Sequence, residues 1–247
     1  MSEQTIKLSV VIPAYNEERR IGETLDKFIA YLETQAYGWE IIVVDDGSSD
    51  QMVPLLNREY IEQGNSDCIH LVTYETNKGK GYAMRMGVQA AKGTFILVSD
   101  ADASTPINDI EKLWPRFDDG ADIVIGSRAM LDSDVQVRQP LYRQSMGRIF
   151  NLLLHILRLT RFKDTQCGFK GIRNSCVDTV FSRMTIDGFG ADCEMLLIAD
   201  KFGYTVEEVP VRWLNSIDTR VHPVFDSLDM FFEVLSVRLK SSMGKYR

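Results

Sequence analysis

Short apolar runs alternate with amphipathic stretches along the first half of the chain. Five runs rich in β-branched residues predict strands, at residues 8–12, 40–44, 69–73, 94–98 and 122–125. Apolar residues at helical spacing predict helices over residues 18–34 and 79–91. The first strand is expected to stop at Pro13, which cannot donate to a strand ladder. This order predicts an α/β fold, with a mostly parallel central sheet and helices on both faces.

Polar residues directly follow each predicted strand. The clusters lie at residues 16–17, 45–48, 77–81, 100–102 and 126–128. In an open parallel sheet, ligands bind at the edge that is formed by the carboxyl ends of the strands. We therefore expect the five clusters to converge on one site.

Asp100 and Asp102 form the cluster that follows the fourth strand. If that strand ends in a turn, both carboxylates reach one point, and Mg²⁺ and Mn²⁺ prefer such oxygen ligands together with substrate phosphates. The alternative interpretation is an acidic loop that caps a helix beginning near Pro106, with Ser104 or Thr105 as the N-cap. The position on the shared edge favours the metal site.

Two further clusters suit a nucleotide diphosphate, although each has a simpler interpretation. The carboxylates of residues 45–50 would accept hydrogen bonds from a nucleobase or a ribose; the alternative is a turn with an N-cap at Ser49 or Asp50. Residues 78–81 place lysines and glycines before a predicted helix, which suits an anion. Because they match neither GxxxxGK[ST] nor GxGxxG, a loop with surface lysines is the alternative.

Composition excludes several classes of protein. Hydrophobic residues make up 45% and charged residues 26% of the 247 residues, as in a soluble globular chain. The net charge of −7 argues against nucleic-acid binding, because phosphates require a basic surface. The four cysteines lack CxxC spacing, which indicates free thiols in a reducing compartment. Without a signal peptide or an apolar run of about 18 residues, we expect a cytoplasmic protein, soluble or bound at a membrane surface.

Basic residues are concentrated in one segment. Residues 138–173 contain eight Lys or Arg residues and one acid. Within it, residues 141–160 show an amphipathic pattern, and a second such stretch covers residues 224–241. Basic amphipathic helices suit an anionic membrane surface, and the alternative is a packed helix with a solvated basic face.

Taken together, the motifs resemble those of the family 2 glycosyltransferases, which have the GT-A fold. The resemblance rests on residues 11–17, 44–50, 77–81, 100–102 and 126–128, in the family's order and spacing. Further on, DTQCGFK at 164–170 and EVPVRW at 208–213 resemble the subgroup that glycosylates polyprenyl phosphates. The DTQCGFK run is closer to dolichyl-phosphate β-glucosyltransferases than to the mannosyl enzymes.

The resemblance implies an inverting, metal-dependent enzyme that moves a hexose, glucose from UDP-glucose, to a polyprenyl or dolichyl phosphate. Mg²⁺ or Mn²⁺ would be held by Asp100 and Asp102, while Ser104 stands where related mannosyl enzymes carry a glutamine. The residues that would bind the donor nucleotide are Pro13, Tyr15, Glu17, Asp45, Asp46, Lys80, Asp100 and Ala101. The acceptor phosphate would face Arg128, Arg143 and Arg220. The catalytic residues would be Asp102, Arg128 and Asp192.

Two other functions stay open from the sequence. A family 2 transferase that acts on a saccharide hydroxyl would need Asp192 as its base. A non-catalytic nucleotide-sugar-binding module would bind the donor without turnover. Asp192 and Glu194 also open a predicted helix, where acids compensate the helix dipole in any case. The donor base, uridine or guanosine, is open as well.

We expect one domain with two halves. Residues 1–130 form a Rossmann-like half that binds the nucleotide sugar, and residues 131–247 form the half that binds the acceptor. Many polyprenyl-phosphate glycosyltransferases carry transmembrane helices, and this sequence predicts none. Three explanations stay open: the two amphipathic stretches dock on a bilayer, a partner anchors the chain, or the acceptor is soluble.

Overall fold

The chain folds around a seven-stranded mixed sheet. The computed structural model describes residues 5–65, 67–130, 132–134, 154, 159–214 and 225–246. The strands are β1 (Ile6–Ala14), β2 (Gly38–Asp45), β3 (Ile69–Thr73), β4 (Phe95–Ser99), β5 (Ile123–Ser127), β6 (Phe169–Arg173) and β7 (Val206–Pro210). Their order across the sheet is β3-β2-β1-β4-β6-β5-β7.

Strand direction brings the functional loops to one edge of the sheet. β1 pairs in parallel with β2 and β4, β2 with β3, and β5 with β7. β6 runs antiparallel to β4 and β5, and Phe169 at its start lies opposite Ser99 at the end of β4. The carboxyl ends of β1–β5 and β7 therefore share the edge at which β6 begins. The prediction of a mostly parallel sheet is confirmed.

Helices cover both faces of the sheet. They are α1 (Ile21–Leu32), α2 (Met52–Leu56), α3 (Lys80–Ala90), α4 (Trp114–Asp118), α5 (Val177–Phe181), α6 (Ala191–Lys201) and α7 (Phe225–Ser242), with a π-helix at Asn57–Asn65 and 3₁₀ helices at Ile107–Lys112 and Asn174–Cys176. Side chains of α1 and α2 join one hydrophobic cluster, and those of α3, α5, α6 and α7 join the other.

Successive side chains of β1 point to opposite faces of the sheet and pack into the two hydrophobic clusters in turn. Val10 and Ile12 lie in the cluster that contains Phe28 of α1, whereas Val11 lies in the cluster that contains Met84 of α3. Each fully buried side chain of this kind stabilises the fold by about 1.5–3 kcal/mol. β1 is therefore held from both faces, which fixes the position of its carboxyl end.

Two predicted strand ends are wrong. β1 continues through Pro13, which lies opposite Val44 of β2. Its pairing with β4 ends at Val11, so the proline falls where β1 has a neighbour on one side only. β5 also extends further than predicted, because Gly126 and Ser127 pair with β7. Arg128 therefore follows this strand directly.

The two predicted amphipathic stretches differ in what the structure describes. Residues 141–160 lie almost entirely outside the described residues, whereas residues 225–242 form α7. No helix in the described ranges has the length and apolarity that crossing a bilayer requires.

Gly87 allows α3 to lie close against the sheet. A Cβ atom at this position would lie 2.3 Å from Val11 Cγ1 and 2.8 Å from Val44 Cγ2. Gly22 in α1 offers a comparison, because a Cβ atom there would meet Tyr60 Oη at an ordinary 3.5 Å.

We predict that Gly87→Ala lowers the free energy of unfolding by about 1–3 kcal/mol, because the added methyl group overpacks the contact between helix and sheet. The control Gly22→Ala should leave that free energy unchanged or raise it by up to about 1 kcal/mol, since alanine favours a helix. Urea denaturation measures both changes. Equal changes in the two variants would contradict this account of the packing.

Candidate functional site

Asp46, which follows β2, organises the loop that precedes α3. Its Oδ1 accepts hydrogen bonds from Tyr74 Oη and the Lys78 backbone N–H, both at 2.8 Å. Its Oδ2 accepts from Asn77 Nδ2 at 3.0 Å and from the Gly79 N–H at 2.9 Å. A carboxylate has about four lone-pair sites, so these four bonds occupy the Asp46 side chain fully.

The acidic segment 45–50 thus has a strong structural role. Besides Asp46, Asp45 Oδ1 accepts the Ser48 N–H at 3.0 Å, and Asp50 Oδ1 accepts the Met52 N–H at the start of α2 at 3.1 Å. The turn that formed part of the alternative interpretation is therefore present. The N-cap of α2, however, is Gln51 rather than Ser49 or Asp50, and it makes no side-chain capping bond. A direct contact of Asp45 or Asp46 with a base or ribose stays a prediction, and for Asp46 it would require the exchange of an existing hydrogen bond.

An ion pair joins this loop to the end of β4. Lys80 Nζ, in the first turn of α3, lies 2.6 Å from Asp100 Oδ1. Burial opposes the charge on Lys80, but the carboxylates of Asp100 and Asp192 outweigh it and hold the pKa of Lys80 above its ordinary value. Burial likewise opposes the charge on Asp100, but Lys80, Lys170 and Arg128 hold its pKa below the ordinary value. The acidic turns after β2 and β4 thus meet at the loop before α3.

A tight turn places Asp102 beside Asp100. Ala103 has a φ of 48°, and its N–H donates to the Asp100 carbonyl at 3.2 Å. Asp102 Oδ1 accepts the Ser104 N–H at 2.9 Å, and Asp102 Oδ2 lies 3.8 Å from Arg20 Nη1. Arg20 also pairs with Glu17 Oε1 at 2.5 Å, so the predicted donor residue Glu17 lies close to this turn.

The carboxylates of Asp100 and Asp102 suit a hard divalent cation, because both side chains are partly exposed and offer oxygen ligands. Among the described residues, no group of three or more His, Cys, Asp or Glu side chains is placed to hold a metal ion. The protein would therefore supply two carboxylates, and a bound diphosphate would have to complete the coordination.

The alternative interpretation of the acidic pair was a loop that caps the following helix. That helix has no side-chain cap. The 3₁₀ helix there begins at Ile107 after an N-cap at Pro106, without a side-chain capping bond. Ser104 Oγ and Thr105 Oγ1 are buried and have no hydrogen-bond partner within the part of the chain that the structure describes. Helix capping by Ser104 or Thr105 therefore does not explain why Asp100 and Asp102 are present.

A second ion pair lies behind the first and is almost fully buried. Lys170 in β6 is 1% exposed and Asp192 in the first turn of α6 is 5% exposed. Lys170 Nζ lies 2.8 Å from Asp192 Oδ1 and also donates to the Cys167 carbonyl. The position of Asp192 in the first helical turn stabilises its negative charge further.

Arg128 forms a third ion pair at the end of β5. Its Nε and Nη2 donate to the two carboxylate oxygens of Asp164 at 2.6 and 2.8 Å, and its backbone N–H donates to the same side chain at 3.0 Å. The guanidinium carbon lies 4.7 Å from the centre of the Trp213 ring. Burial favours the neutral form of Arg128, but Asp164 outweighs it and raises the arginine pKa. This pair leaves the Nη1 group outside the bidentate contact.

Gly168, in the segment that precedes β6, lies very close to the acidic turn after β4. A Cβ atom at this position would lie 1.8 Å from Asp100 Oδ2. Any larger residue would displace the carboxylate, so the glycine of the DTQCGFK run is required by the position of Asp100.

The other predicted site residues are distributed as follows. Pro13 lies in β1 and Tyr15 is exposed just beyond its end. Ala101 is buried, and its carbonyl accepts a hydrogen bond from Thr24 Oγ1 at 2.8 Å. The predicted acceptor residues Arg143 and Arg220 lie outside the described residues.

Sequence reasoning did not identify Lys170 or Arg20 as site residues. Lys170 belongs to the basic segment and ends the DTQCGFK run, but neither pattern assigns it a site role. A lysine between Phe169 and Gly171 in a strand nevertheless signals a buried charge that needs a partner. Arg20 had no signal of its own, because its contact with Asp102 joins residues from different elements of the sequence.

The sequence is similar to a known family and to individual proteins along most of its length. The model of the family described as Glycosyl transferase family 2 matches residues 9–181. The dolichyl-phosphate beta-glucosyltransferase of Homo sapiens is 34% identical over 98% of this chain and 78% of the relative. The protein with the same name from Saccharomyces cerevisiae is 31% identical over 99% of this chain and 78% of the relative.

Solved structures show the same fold at lower identity. Glucosyl-3-phosphoglycerate synthase from Mycobacterium tuberculosis, in complex with Mn²⁺, UDP and glucosyl-3-phosphoglycerate, superposes with a TM-score of 0.69 at 21% identity, covering 97% of this chain and 80% of that chain. Mannosyl-3-phosphoglycerate synthase from Rubrobacter xylanophilus gives a TM-score of 0.67 at 18% identity, covering 97% and 76%. The family match and the similarity to the human relative extend through the site, so the chain belongs to glycosyl transferase family 2 and is a glycosyltransferase of the GT-A fold.

Proposed function

We propose that the chain transfers glucose from UDP-glucose to the phosphate of a polyprenol of the dolichol type. The activity named for the human and yeast relatives supports this substrate pair. The structural observation that carries the acceptor class is the buried ion pair between Lys170 and Asp192.

The chemistry of the acceptor explains why this pair matters. A phosphate monoester has a second pKa of about 6, so at neutral pH it is largely a dianion and attacks without a general base. A sugar hydroxyl needs a base that takes its proton. Asp192 already accepts a charged hydrogen bond from Lys170, which makes it a poor base for a hydroxyl acceptor. This pairing favours the phosphate acceptor.

Charge balance at the site supports the use of Mg²⁺ or Mn²⁺. The described ion pairs match three cations with three carboxylates: Lys80 with Asp100, Lys170 with Asp192, and Arg128 with Asp164. A donor diphosphate and an acceptor phosphate add negative charge that this balanced set does not neutralise. A divalent cation held by Asp100 and Asp102 would supply Lewis-acid stabilisation of the leaving diphosphate.

The chain's own side chains then have separate roles. Lys80 and Asp100 hold the start of α3 beside the proposed position of the diphosphate. Arg20 contacts both Glu17 and Asp102, so Glu17 lies on the proposed donor side of the site. Arg128 is oriented by Asp164 and offers its remaining N–H donors to the acceptor phosphate. Inversion follows if the acceptor attacks from the side opposite the leaving diphosphate.

We further propose that α7 rests on an anionic membrane that contains the acceptor. Phe232, Leu239 and Met243 are 61–71% exposed. They are separated by seven and four residues, about two turns and one turn of helix, so they form one outward stripe. The exposed Arg238 and Lys245 complement anionic headgroups near this stripe.

We predict that the purified chain, with Mg²⁺ or Mn²⁺, forms a glucosyl phosphate diester from UDP-glucose and farnesyl phosphate. Mass spectrometry of products from UDP-glucose, GDP-mannose and UDP-N-acetylglucosamine identifies the donor. Asp102→Ala should reduce the rate at least about 10²-fold, because removal of a group that stabilises developing charge costs that much.

Matched acceptors make this test decisive. Farnesol presents the same chain with a hydroxyl group in place of the phosphate, and it should receive no sugar. Transfer to a hydroxyl acceptor but not to farnesyl phosphate contradicts the proposal. Nucleotide binding without transfer to any acceptor would indicate a binding module.

We predict that Asp192→Asn lowers kcat less than about tenfold with farnesyl phosphate, whereas loss of a general base costs about 10²–10⁴-fold. The variant should nevertheless unfold more easily, by up to about 3–5 kcal/mol, because Lys170 keeps a buried charge without a counterion. The double variant Lys170→Gln/Asp192→Asn removes both charges and should recover part of that stability. A loss of kcat of about 10³-fold in both variants would instead assign Asp192 as a base.

We predict that the chain floats with phosphatidylserine-containing vesicles and that Leu239→Ser/Met243→Ser weakens this binding at least about tenfold, since burial of each apolar side chain contributes about 1.5–3 kcal/mol. Phe202→Ser, which changes an exposed aromatic residue outside α7, is the control and should float like the wild type. Absence of wild-type flotation, or equal flotation of the α7 variant, argues against this surface.

A further inference from the structure

We propose that Glu233 on α7 is a positioning residue for the glycosyl-transfer site, and that it acts through the segment 186–190, here called the bridging loop. The inference rests on the proposed function for its kinetic test. It assigns a role in donor binding to a helix that has no described contact with Asp100 or Asp102.

Glu233 binds the start of α6 with its carboxylate. Oε2 accepts the Gly190 N–H at 2.8 Å, and the carboxylate also lies beside the Gly188 backbone N–H. The first N–H groups of a helix have no partner within the helix, so a carboxylate from another element stabilises them by hydrogen bonding and by its charge. Burial raises the pKa of the Glu233 carboxyl, and these two N–H groups oppose that rise.

The bridging loop has no room for side chains where Glu233 approaches. A Cβ atom at position 188 would lie 2.2 Å from Glu233 Oε1, and one at position 190 would lie 2.9 Å from Glu233 Cβ. The two glycines therefore allow α7 to come within hydrogen-bonding distance of the loop backbone. Glu233 therefore fixes this part of the loop at close range.

The other side of the bridging loop holds the start of α3. The Asp187 carbonyl accepts the Gly81 N–H at 2.7 Å and the Tyr82 N–H at 3.1 Å. No side chain caps α3, so this carbonyl supplies the described partner for those two N–H groups. A Cβ atom at position 81 would lie 2.4 Å from Ala191 Cβ, which shows how closely the two helix starts pack.

Arg85 strengthens the same junction from within α3. Its Nη1 donates to the Ile186 carbonyl at 3.0 Å, and its Nη2 lies 2.6 Å from Asp187 Oδ1. The bridging loop is thus held by α3 on one side and by Glu233 on the other. A shift of the loop would move the backbone of Gly81, and with it the neighbouring Lys80.

The junction leads directly to two of the three ion pairs of the site. Lys80 precedes Gly81 and pairs with Asp100 at 2.6 Å. Asp192 lies two residues beyond Gly190 and pairs with Lys170 at 2.8 Å. Because misplacement of a reacting group by about 1 Å can cost about 10²-fold in rate, a loosened bridging loop should reduce donor use strongly.

Hydrogen exchange tests the link without any assay of activity. Glu233→Ala should increase exchange at the Gly81 and Tyr82 amides at least about tenfold, since local opening frees N–H groups that were protected. Val237→Ala is the matched control, because Val237 is buried on the same helix and its truncation destabilises α7 without removing a bond to the bridging loop. It should leave exchange at these two amides close to the wild-type rate.

Kinetics then tests whether the link positions the donor. Glu233→Ala should raise the KM for the nucleotide sugar and lower kcat, with kcat/KM for the donor falling about 10–10²-fold, while the KM for farnesyl phosphate changes less than about twofold. Glu233→Gln keeps one acceptor oxygen and should show an intermediate effect, which also covers the case that the alanine variant does not fold. Val237→Ala should retain donor kinetics at a temperature well below its unfolding midpoint.

The outcomes separate this inference from the proposed function. If the wild type transfers glucose but Glu233→Ala and Glu233→Gln match it in amide exchange and donor KM, the inference is overturned and the proposed function stands. Equal kinetic losses in Glu233→Ala and Val237→Ala also overturn it, because a general loss of stability would explain both. If the wild type transfers no sugar, the proposed function fails. Two measurements on the wild type and the Glu233 variants then decide the inference: amide exchange, and the affinity for UDP measured by calorimetry in the presence of Mg²⁺.

Discussion

The need of every buried charge for an opposite charge or for hydrogen-bond donors determines the arrangement of the site. Lys170 and Asp192 have almost no contact with water, and each would be costly to bury without the other. Their pairing fixes the start of α6 relative to β6, and the Lys80–Asp100 pair fixes the start of α3 relative to β4. These constraints join helices and strands that are far apart in sequence into one rigid edge. In the proposed reaction, substrate phosphates would meet charges that are already oriented, which lowers the reorganisation that transfer would otherwise require.

Much of the fold could be predicted because its signals are local. The buried runs of the first half identify five strands, and their carboxyl ends converge as parallel pairing requires. The predicted end of β1 was wrong. Pro13 is normally a strand breaker, but the pairing of β1 with β4 ends at Val11, and the sequence does not show this. The order of the last three strands also depends on tertiary packing, so periodicity could not supply it.

The candidate site was predictable in position but only partly in its contacts. The acidic turn at Asp100 and Asp102 and the loop at Lys80 lie together as expected. The four hydrogen bonds to Asp46 were not foreseen, because two of the donors are backbone N–H groups whose direction depends on the folded loop. Glu233 gave no sequence signal, since the donor to its carboxylate, the Gly190 N–H, is also a backbone group and lies 43 residues earlier in the chain.

The antiparallel strand β6 has a consequence for synthesis of the chain. It lies between β4 and β5, pairing with both, although both precede it in sequence. As residues 95–127 leave the ribosome, these two strands therefore have an open slot between them, and their facing backbone groups await a segment that is translated later. That slot closes once residue 173 has emerged, so β4 and β5 acquire their shared neighbour only after the residues between 127 and 169 have been made.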